Sequence, residues 1–468
     1  MLEGLISRLE KINATPLHVL LFIAAIGFLR YVEEWPLAFS GPTLSSQTLM
    51  MLDYATSYLS VFVFFAAGQK LFMKKASYAP LLLGFLLPLL PPAMDHFLYA
   101  NPIYFYPQPN VLFLDAGMTI GEITAVYLGI LLFASYMFVK DRQPGTFVLA
   151  ALFAWGTLQL LGSVHPYVAN ALAGTASFAV FFSFFYAIRL LLFIPPLLYI
   201  DEGFAGLVKY RLSRIFLLLA LSLFAATLLG PLRLADLPVF AANSVAILLA
   251  FMLNCGSDAK EDKINNRPAF SFGLLAWAVL AASLAASALI AYVAGNPSFY
   301  IPVLILAISF LYSRALQLKR TFPLAHVSEG AVFALIFLSH ALLRSALNQQ
   351  VAEKTAIVFA IFAIGSMVKD YKDEKGDKAA GISTPFTILN EETARKFWLA
   401  FRALLVFGPM LLAYMEYGSL SMLRFAAYGI YVLASGYVLF LAELGRERLV
   451  DYFIWIFSLF LVLVSFLH

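Results

Sequence analysis

The sequence predicts an all-α protein that crosses a membrane many times, and three observations carry that prediction. Only 12% of its residues are charged and 62% are hydrophobic, against about 25% charged in soluble domains. Apolar runs of about 18 residues or more, each long enough to span a bilayer as a helix, recur from end to end. The runs do not alternate apolar with polar residues, as strands of a membrane barrel do over about 10 positions. The start of the chain, Met1 to Ala14, lacks the basic, apolar and small-residue series of a cleaved leader. The first apolar run therefore reads as a retained helix.

About six helices are expected first, near Leu17–Val32, Tyr54–Phe72, Ala79–Pro91, Met118–Val139, Phe147–Val164 and Ser177–Ile200. The third carries Pro80, Pro88, Pro91 and Pro92, which predicts a kink or a re-entrant segment. A polar stretch from Asp201 to Arg214 marks a domain boundary, dividing residues 1–205 from 206–468. About nine more helices follow, near Arg214–Leu229, Val239–Leu253, Leu274–Ala294, Tyr300–Leu318, Ala325–Leu347, Thr355–Val368, Phe397–Met415, Met422–Leu444 and Tyr452–Leu467.

Charge fixes the expected orientation. With the N-terminus in the cytoplasm, inner loops carry Lys70, Lys74, Lys75, Lys140, Arg142, Lys209, Arg211, Lys260, Lys263, Arg267, Lys319, Arg320, a run from Lys369 to Lys396, Arg446 and Arg448. Outer loops hold few cations, such as Arg233, Arg344, Lys354 and Arg424. That asymmetry is the positive-inside pattern, and one miscounted helix would scramble it. The net charge of +4 is thus spent on orientation in a cell membrane and is no argument for nucleic acid. The single cysteine, Cys255, excludes an intramolecular disulfide and a Cys-rich metal site.

Two acidic clusters carry the chemistry. After the second helix of the C-terminal part come Asn254, Asp258 and Asp262, spaced i, i+4, i+8, then Arg267 and Pro268. After the sixth come Asp370, Asp373 and Asp377, spaced i, i+3, i+7. Each set shares one face if helical. An even number of crossings separates the clusters, so both fall on the side assigned to the cytoplasm. Carboxylates gathered this closely repel unless cations hold them. Mg²⁺ suits them, because it takes one or two carboxylates and completes its octahedron with water and phosphate oxygens. Two such clusters facing each other make a clamp for a diphosphate, with nearby Lys and Arg adding direct contacts. The plainer reading is that loop carboxylates are simply solvated; their shared register and side of the membrane speak against it.

Asn-x3-Asp-x3-Asp-x4-Arg-Pro, from Asn254 to Pro268, resembles the first aspartate-rich motif of the UbiA superfamily of intramembrane prenyltransferases. Asp370, Asp373, Gly376, Asp377, Gly381, Thr384 and Pro385 resemble its extended second motif. Tyr312-Ser313 followed by Lys319-Arg320 is a looser third match. The family commonly has Asn-Asp where this chain has Asn254-Cys255, and Asp262 to Arg267 is short. The resemblance covers about Lys209 to His468 and implies a nine-helix bundle.

It implies transfer of a prenyl group from a prenyl diphosphate to a membrane-associated acceptor, with Mg²⁺ as cofactor. Asp258 and Asp262 would hold one ion, Asp373 and Asp377 the other, supported by Asn254 and Asp370. Arg267, Lys319 and Arg320 would bind the diphosphate, and Tyr312 would face the forming cation. Relatives use hydroxylated aromatic acids of lipoquinone synthesis, chlorin and haem groups, and glycerol phosphate ethers of archaeal lipids. An aromatic quinone precursor is the first expectation and a glycerol phosphate ether the second.

Other ionisable groups stand apart. Glu329, His326 and His340 lie in or near the fifth C-terminal helix, and Glu329 follows the Lys319–Arg320 loop closely enough to border the site. Arg189 and Arg402 are expected to snorkel. Asp95, His96, Asp115, Glu122 and His165 fall on the outer side of the first half, as hydrated loop groups or as a metal or polar-ligand site. The first half reads as a fused accessory domain for lipid, acceptor or a partner enzyme. Rival functions are a transporter or flippase for prenyl-linked or phosphorylated lipids, and a non-catalytic prenyl-lipid binder. Carrier sites sit near the bilayer midplane, whereas these clusters sit at one face.

Overall fold

The computed structural model describes residues 2–12, 14–38, 44–99, 119–172, 189, 191–233, 235–257, 268, 270–294, 296–344, 346–417, 422–443 and 449–466. Among these every regular element is a helix. Nine are long and apolar enough to cross a membrane, or ten if one bent pair counts as a single span. Shorter apolar helices at Leu212–Leu228, Leu274–Leu289, Ala426–Leu441 and Asp451–Ser465 accompany them. In chain order the helices are α1 (Leu2–Glu10), α2 (Pro16–Ala38), α3 (Leu44–Met73), α4 (Tyr78–Gly84), α5 (Leu90–Tyr99), α6 (Ile120–Asp141) and α7 (Pro144–Leu172). Then come α8 (Leu191–Ile200), α9 (Glu202–Tyr210), α10 (Leu212–Leu228), α11 (Asp236–Ser257), α12 (Leu274–Ala294), α13 (Ile301–Phe310) and α14 (Leu324–Leu343). The last six are α15 (Gln349–Gly365), α16 (Val368–Ala380), α17 (Pro385–Ile388), α18 (Glu391–Tyr417), α19 (Met422–Glu443) and α20 (Leu449–Ser465).

Two compact units emerge, Met1–Ala205 with Phe272–Gly295, and Gly206–Ser271 with Asn296–His468. Along the chain α12 belongs to the nine helices after the boundary; in space it packs within the first unit, on α2 and α3. There Gly273 N–H donates to Asp201 Oδ2 at 2.6 Å.

Local sequence explains several boundaries. Thr119 and Glu122 form a reciprocal capping box that starts α6. Asn348 caps α15 by accepting from Val351 N–H at 2.9 Å. The proline-rich third segment is broken into α4, a 3₁₀ turn at Leu87–Leu89 and α5, as missing N–H donors and ring clashes require. The polar stretch read as the domain boundary is itself largely helical: α9 leaves α8 at an angle of 115°. Glu10, at the end of α1, receives Lys140 and the Tyr136 hydroxyl. Burial raises that carboxyl's pKa, but these two donors outweigh the effect and leave it below the ordinary value.

The first unit corrects two expectations. Arg189 does not snorkel: it is buried and pairs with Asp53, donating also to Asp53 O at 3.0 Å and Thr56 Oγ1 at 3.2 Å. An internal counter-charge and two acceptors replace the water it would have sought. Asp95 is buried on α5 and accepts from Gly121 N–H at 3.1 Å, so it is no hydrated loop group. Glu122 belongs to the capping box, and Asp115 lies outside the described residues. Among the described residues no three His, Cys, Asp or Glu gather as a metal site. In the second unit, His340 bridges Ser222 Oγ at 2.7 Å and Asp236 Oδ1 at 3.1 Å. Arg344 donates to Asp236 Oδ2 at 2.7 Å, and this buried set ties α10, α11 and the end of α14 together.

Candidate active site

The site is assembled from segments far apart in sequence. The last turn of α11 carries Asn254, the first residue of the first acidic cluster; Asp258, Asp262 and Arg267 lie outside the described residues. Helix α13 runs into a π-turn, Leu311–Ala315. One such wide turn inserts an extra residue into the helical ladder and re-aims side chains, which is why π-turns recur at functional sites. Here it places Ser313, whose Oγ donates to Asn254 Oδ1 at 3.0 Å. Tyr312, one residue earlier, donates to Glu329 Oε1 of α14 at 2.8 Å.

Lys369 completes this cluster from the start of α16. It pairs with Glu329 Oε1, donates to the Tyr312 hydroxyl at 3.2 Å, and stands 5.7 Å from the Tyr312 ring centre. Beyond it, Asp370, Asp373 and Asp377 lie along α16 itself; the loop expected for them is a helix. Asp370 and Asp377 are buried and Asp373 is half-buried. His326, also buried, brings Nε2 within 3.0 Å of Asp370 Oδ2 while Nδ1 meets Ser366 Oγ at 2.8 Å. The first contact is an ion pair, and Asp370 Oδ2 is buried with no hydrogen bond. A buried carboxylate oxygen in that condition suits a hard cation such as Mg²⁺.

The end of α16 is secured in turn. Gly381, at φ +68°, provides the left-handed residue that stops the helix. Ser383 N–H then donates to Arg320 O at 3.1 Å, tying the tail of the second motif to the 3₁₀ turn Leu318–Arg320. Thr384 caps α17, and Tyr371 stacks on Trp398 with ring centres 4.0 Å apart.

These groups close one end of a cavity of about 480 Å³. Asn254, Tyr312, Ser313, Glu329, Lys369 and Arg214 supply its polar end, while Leu218, Ile247, Ile305, Phe333, Ile361 and Phe457 line its apolar body. Of the residues singled out in the sequence, Asn254, Tyr312 and Glu329 are in the wall; Asp370, Asp373, Asp377, Lys319 and Arg320 are not. The three aspartates continue from Lys369 along its helix. The sequence places Ser313 only in the looser third match and Lys369 only among the cations near the acidic clusters, and it singles out neither, nor Arg214, as a site residue. The available signal was position: Lys369 immediately precedes the first aspartate at the end of an apolar run.

The profile of the UbiA prenyltransferase family matches residues 215–457, just over half of the chain. The chain belongs to that family. It is an integral-membrane prenyltransferase, and the acidic helix and every lining residue of the cavity except Arg214 fall within the matched region. A solved structure described as digeranylgeranylglyceryl phosphate synthase aligns over 57% of this chain and 96% of its own, with 18% identity and a TM-score of 0.39. A comparison with curated proteins returns no match.

Proposed function

We propose that this UbiA-family chain carries out Mg²⁺-dependent transfer of a prenyl group from a prenyl diphosphate to a membrane-associated acceptor. The observation that carries this reading is the cavity: a long apolar body whose polar end gathers Asn254 of the first motif, Tyr312 and Glu329, and Lys369 beside the second motif. A prenyl diphosphate has that division, an apolar tail and an anionic head. Each tail CH₂ buried is worth about 0.8 kcal/mol, which favours a site within the membrane.

Asp258 and Asp262 on one side, and Asp373 and Asp377 on the other, would hold Mg²⁺, with Asn254 and Asp370 in support. When bound, Mg²⁺ supplies neutralising charge to the departing diphosphate. Arg267, Lys319, Arg320 and Lys369 would bind the head group. The allylic carbon–oxygen bond breaks with its electrons going to the diphosphate. The acceptor's nucleophilic atom bonds to the allylic carbon and loses its proton. Tyr312 offers its ring face to the positive carbon, and the apolar walls exclude water that would capture it. The proposed acceptor is an aromatic lipoquinone precursor or an archaeal-type glycerol phosphate ether. Residues 206–468 would form the catalytic domain along the chain and residues 1–205 an accessory one. The acidic clusters would face the cytoplasm.

The test is transfer from labelled geranylgeranyl diphosphate by the purified full chain, with Mg²⁺ and a panel of acceptors. Asp262→Asn and Asp373→Asn run alongside. Mg²⁺-dependent product lost in both variants is expected. Full activity of Asp373→Asn would remove it from the ligand set. No product and no diphosphate binding would turn the reading to lipid transport.

A further inference from the structure

One buried ring joins three helices behind the second acidic motif. His326 stands in the first turn of α14 and belongs to none of the three motif matches. Only 2% of it is exposed. Its Nδ1 lies 2.8 Å from the Oγ of Ser366, the residue that ends α15. Ser366 Oγ donates its one proton to Ala363 O at 2.8 Å, so it accepts from His326 Nδ1–H. The Phe322 ring meets the imidazole edge-on, with centres 5.7 Å apart. Anchored in this way, the imidazole sets its Nε2 3.0 Å from Asp370 Oδ2. Asp370 is buried in the first turn of α16, and Asp373 and Asp377 follow it along the same helix. Its Oδ2 has no hydrogen bond, so the ion pair with His326 is what holds that oxygen.

We propose that His326, anchored by Ser366, is a positioning residue for the second motif. It fixes the Asp370 carboxylate, and with it the start of α16, in the place from which the motif takes up its divalent ion. This rests on the Mg²⁺-dependent reaction proposed above. A group that takes up an ion works only if it is held within about 0.5 Å of its productive place. Asp370 reaches that precision through a side chain on a neighbouring helix, since the ring is tied to the end of α15 and carries the tie to α16. A purely electrostatic role has the opposite sign. A positive ring behind the motif repels an incoming cation, so its removal alone would tighten ion binding. Loss of positioning weakens binding, by about 10- to 100-fold for groups that orient metal ligands.

The experiment titrates the purified full-length protein with Mn²⁺, which shares the preference of Mg²⁺ for carboxylate and water ligands, and follows the free ion by its paramagnetic resonance. His326→Ala should weaken Mn²⁺ binding about 10- to 100-fold. Ser366→Ala, which frees the ring without removing it, should weaken binding by less, and it carries the comparison should the His326 variant fold poorly. His326→Gln, whose amide offers both a donor and an acceptor, should recover part of the loss. The second readout is transfer from geranylgeranyl diphosphate, with an acceptor that supports turnover, as Mn²⁺ is raised. In His326→Ala the half-saturating Mn²⁺ concentration should rise, and most of the lost rate should return at saturation. A merely structural role would lower kcat at every Mn²⁺ concentration and leave half-saturation unmoved. Unchanged or tighter Mn²⁺ binding in His326→Ala and Ser366→Ala would overturn the proposal. Wild-type protein that binds no Mn²⁺ would instead count against the Mg²⁺-dependent reaction itself.

Discussion

Lys369 and Glu329 are opposite charges at the polar end of an apolar cavity, and each explains why the other can stay there. A cation in such surroundings needs a counter-charge, and the Glu329 carboxylate, also held by the Tyr312 hydroxyl, supplies it. If Lys369 binds the donor's head group, Lys369→Met removes a charge-assisted contact worth about 1.5–3 kcal/mol, or roughly 10- to 150-fold in kcat/KM. Glu329→Gln should lower activity by disturbing the placement of Lys369, so the double variant should lose less than the product of the two single losses. Steady-state kinetics on the four proteins checks this; multiplicative losses would mean that the residues act separately. His326 stands differently. It lies behind Asp370 and bridges to Ser366, so the sequence correctly marked it as ionisable without showing that its partner is a motif aspartate. That pairing joins α14 to α16 across 44 positions and is visible only once the helices pack.

Two glycines are needed for unlike reasons, and substitution separates them. At Gly330 the obstacle is space, because α14 presses on the α15 backbone and an added Cβ meets Ala363 and Phe359. Gly330→Ala should destabilise the protein by about 1–3 kcal/mol through overpacking, seen as a lower midpoint of thermal unfolding in detergent. At Gly381 space is open and the obstacle is φ +68°. Gly381→Ala should cost about 1–2 kcal/mol, and Gly381→Asn less, since Asn tolerates the left-handed region. The buried Asp236–His340–Arg344 set gives a third test. Asp236→Leu leaves Arg344 without its carboxylate, an expected loss of about 3–5 kcal/mol in the same unfolding measurement. Apolar run length made the existence of these helices legible, and proline content announced the break between α4 and α5. The π-turn at Leu311–Ala315 was not legible, since nothing in Leu-Tyr-Ser-Arg-Ala distinguishes a wide turn from an ordinary one. The helical form of the Asp370–Asp377 segment was legible only as a shared face, because charge density there mimics a solvated loop.

At the scale of the whole molecule, span length, which the bilayer imposes, was legible, while the grouping of helices was not. Nothing in the apolar sequence of α12 marks it for packing on α2 and α3, because such a helix is apolar on every face and carries no stripe to name its partner. Sidedness still makes a sharp prediction. The wild-type chain has one cysteine, Cys255, and it is buried, so Cys255→Ala gives a background for single-cysteine probes. A cysteine placed at Lys74, Arg142 or Lys375 should react with an impermeant maleimide only from the cytoplasmic side, and one at Asn348 or Lys354 only from the opposite side. Labelling in sealed vesicles of both orientations makes the comparison. The alternation is rigid: an odd number of crossings separates Lys375 from Lys354, so the two cannot share a side unless α15 fails to span. Opposite labelling, with Lys375 reached from the cytoplasm, would place the second acidic motif, the proposed head-group end, on the cytoplasmic face. Same-side labelling would mean that α15 returns without crossing and that the two acidic clusters are not held to one side by an even number of spans.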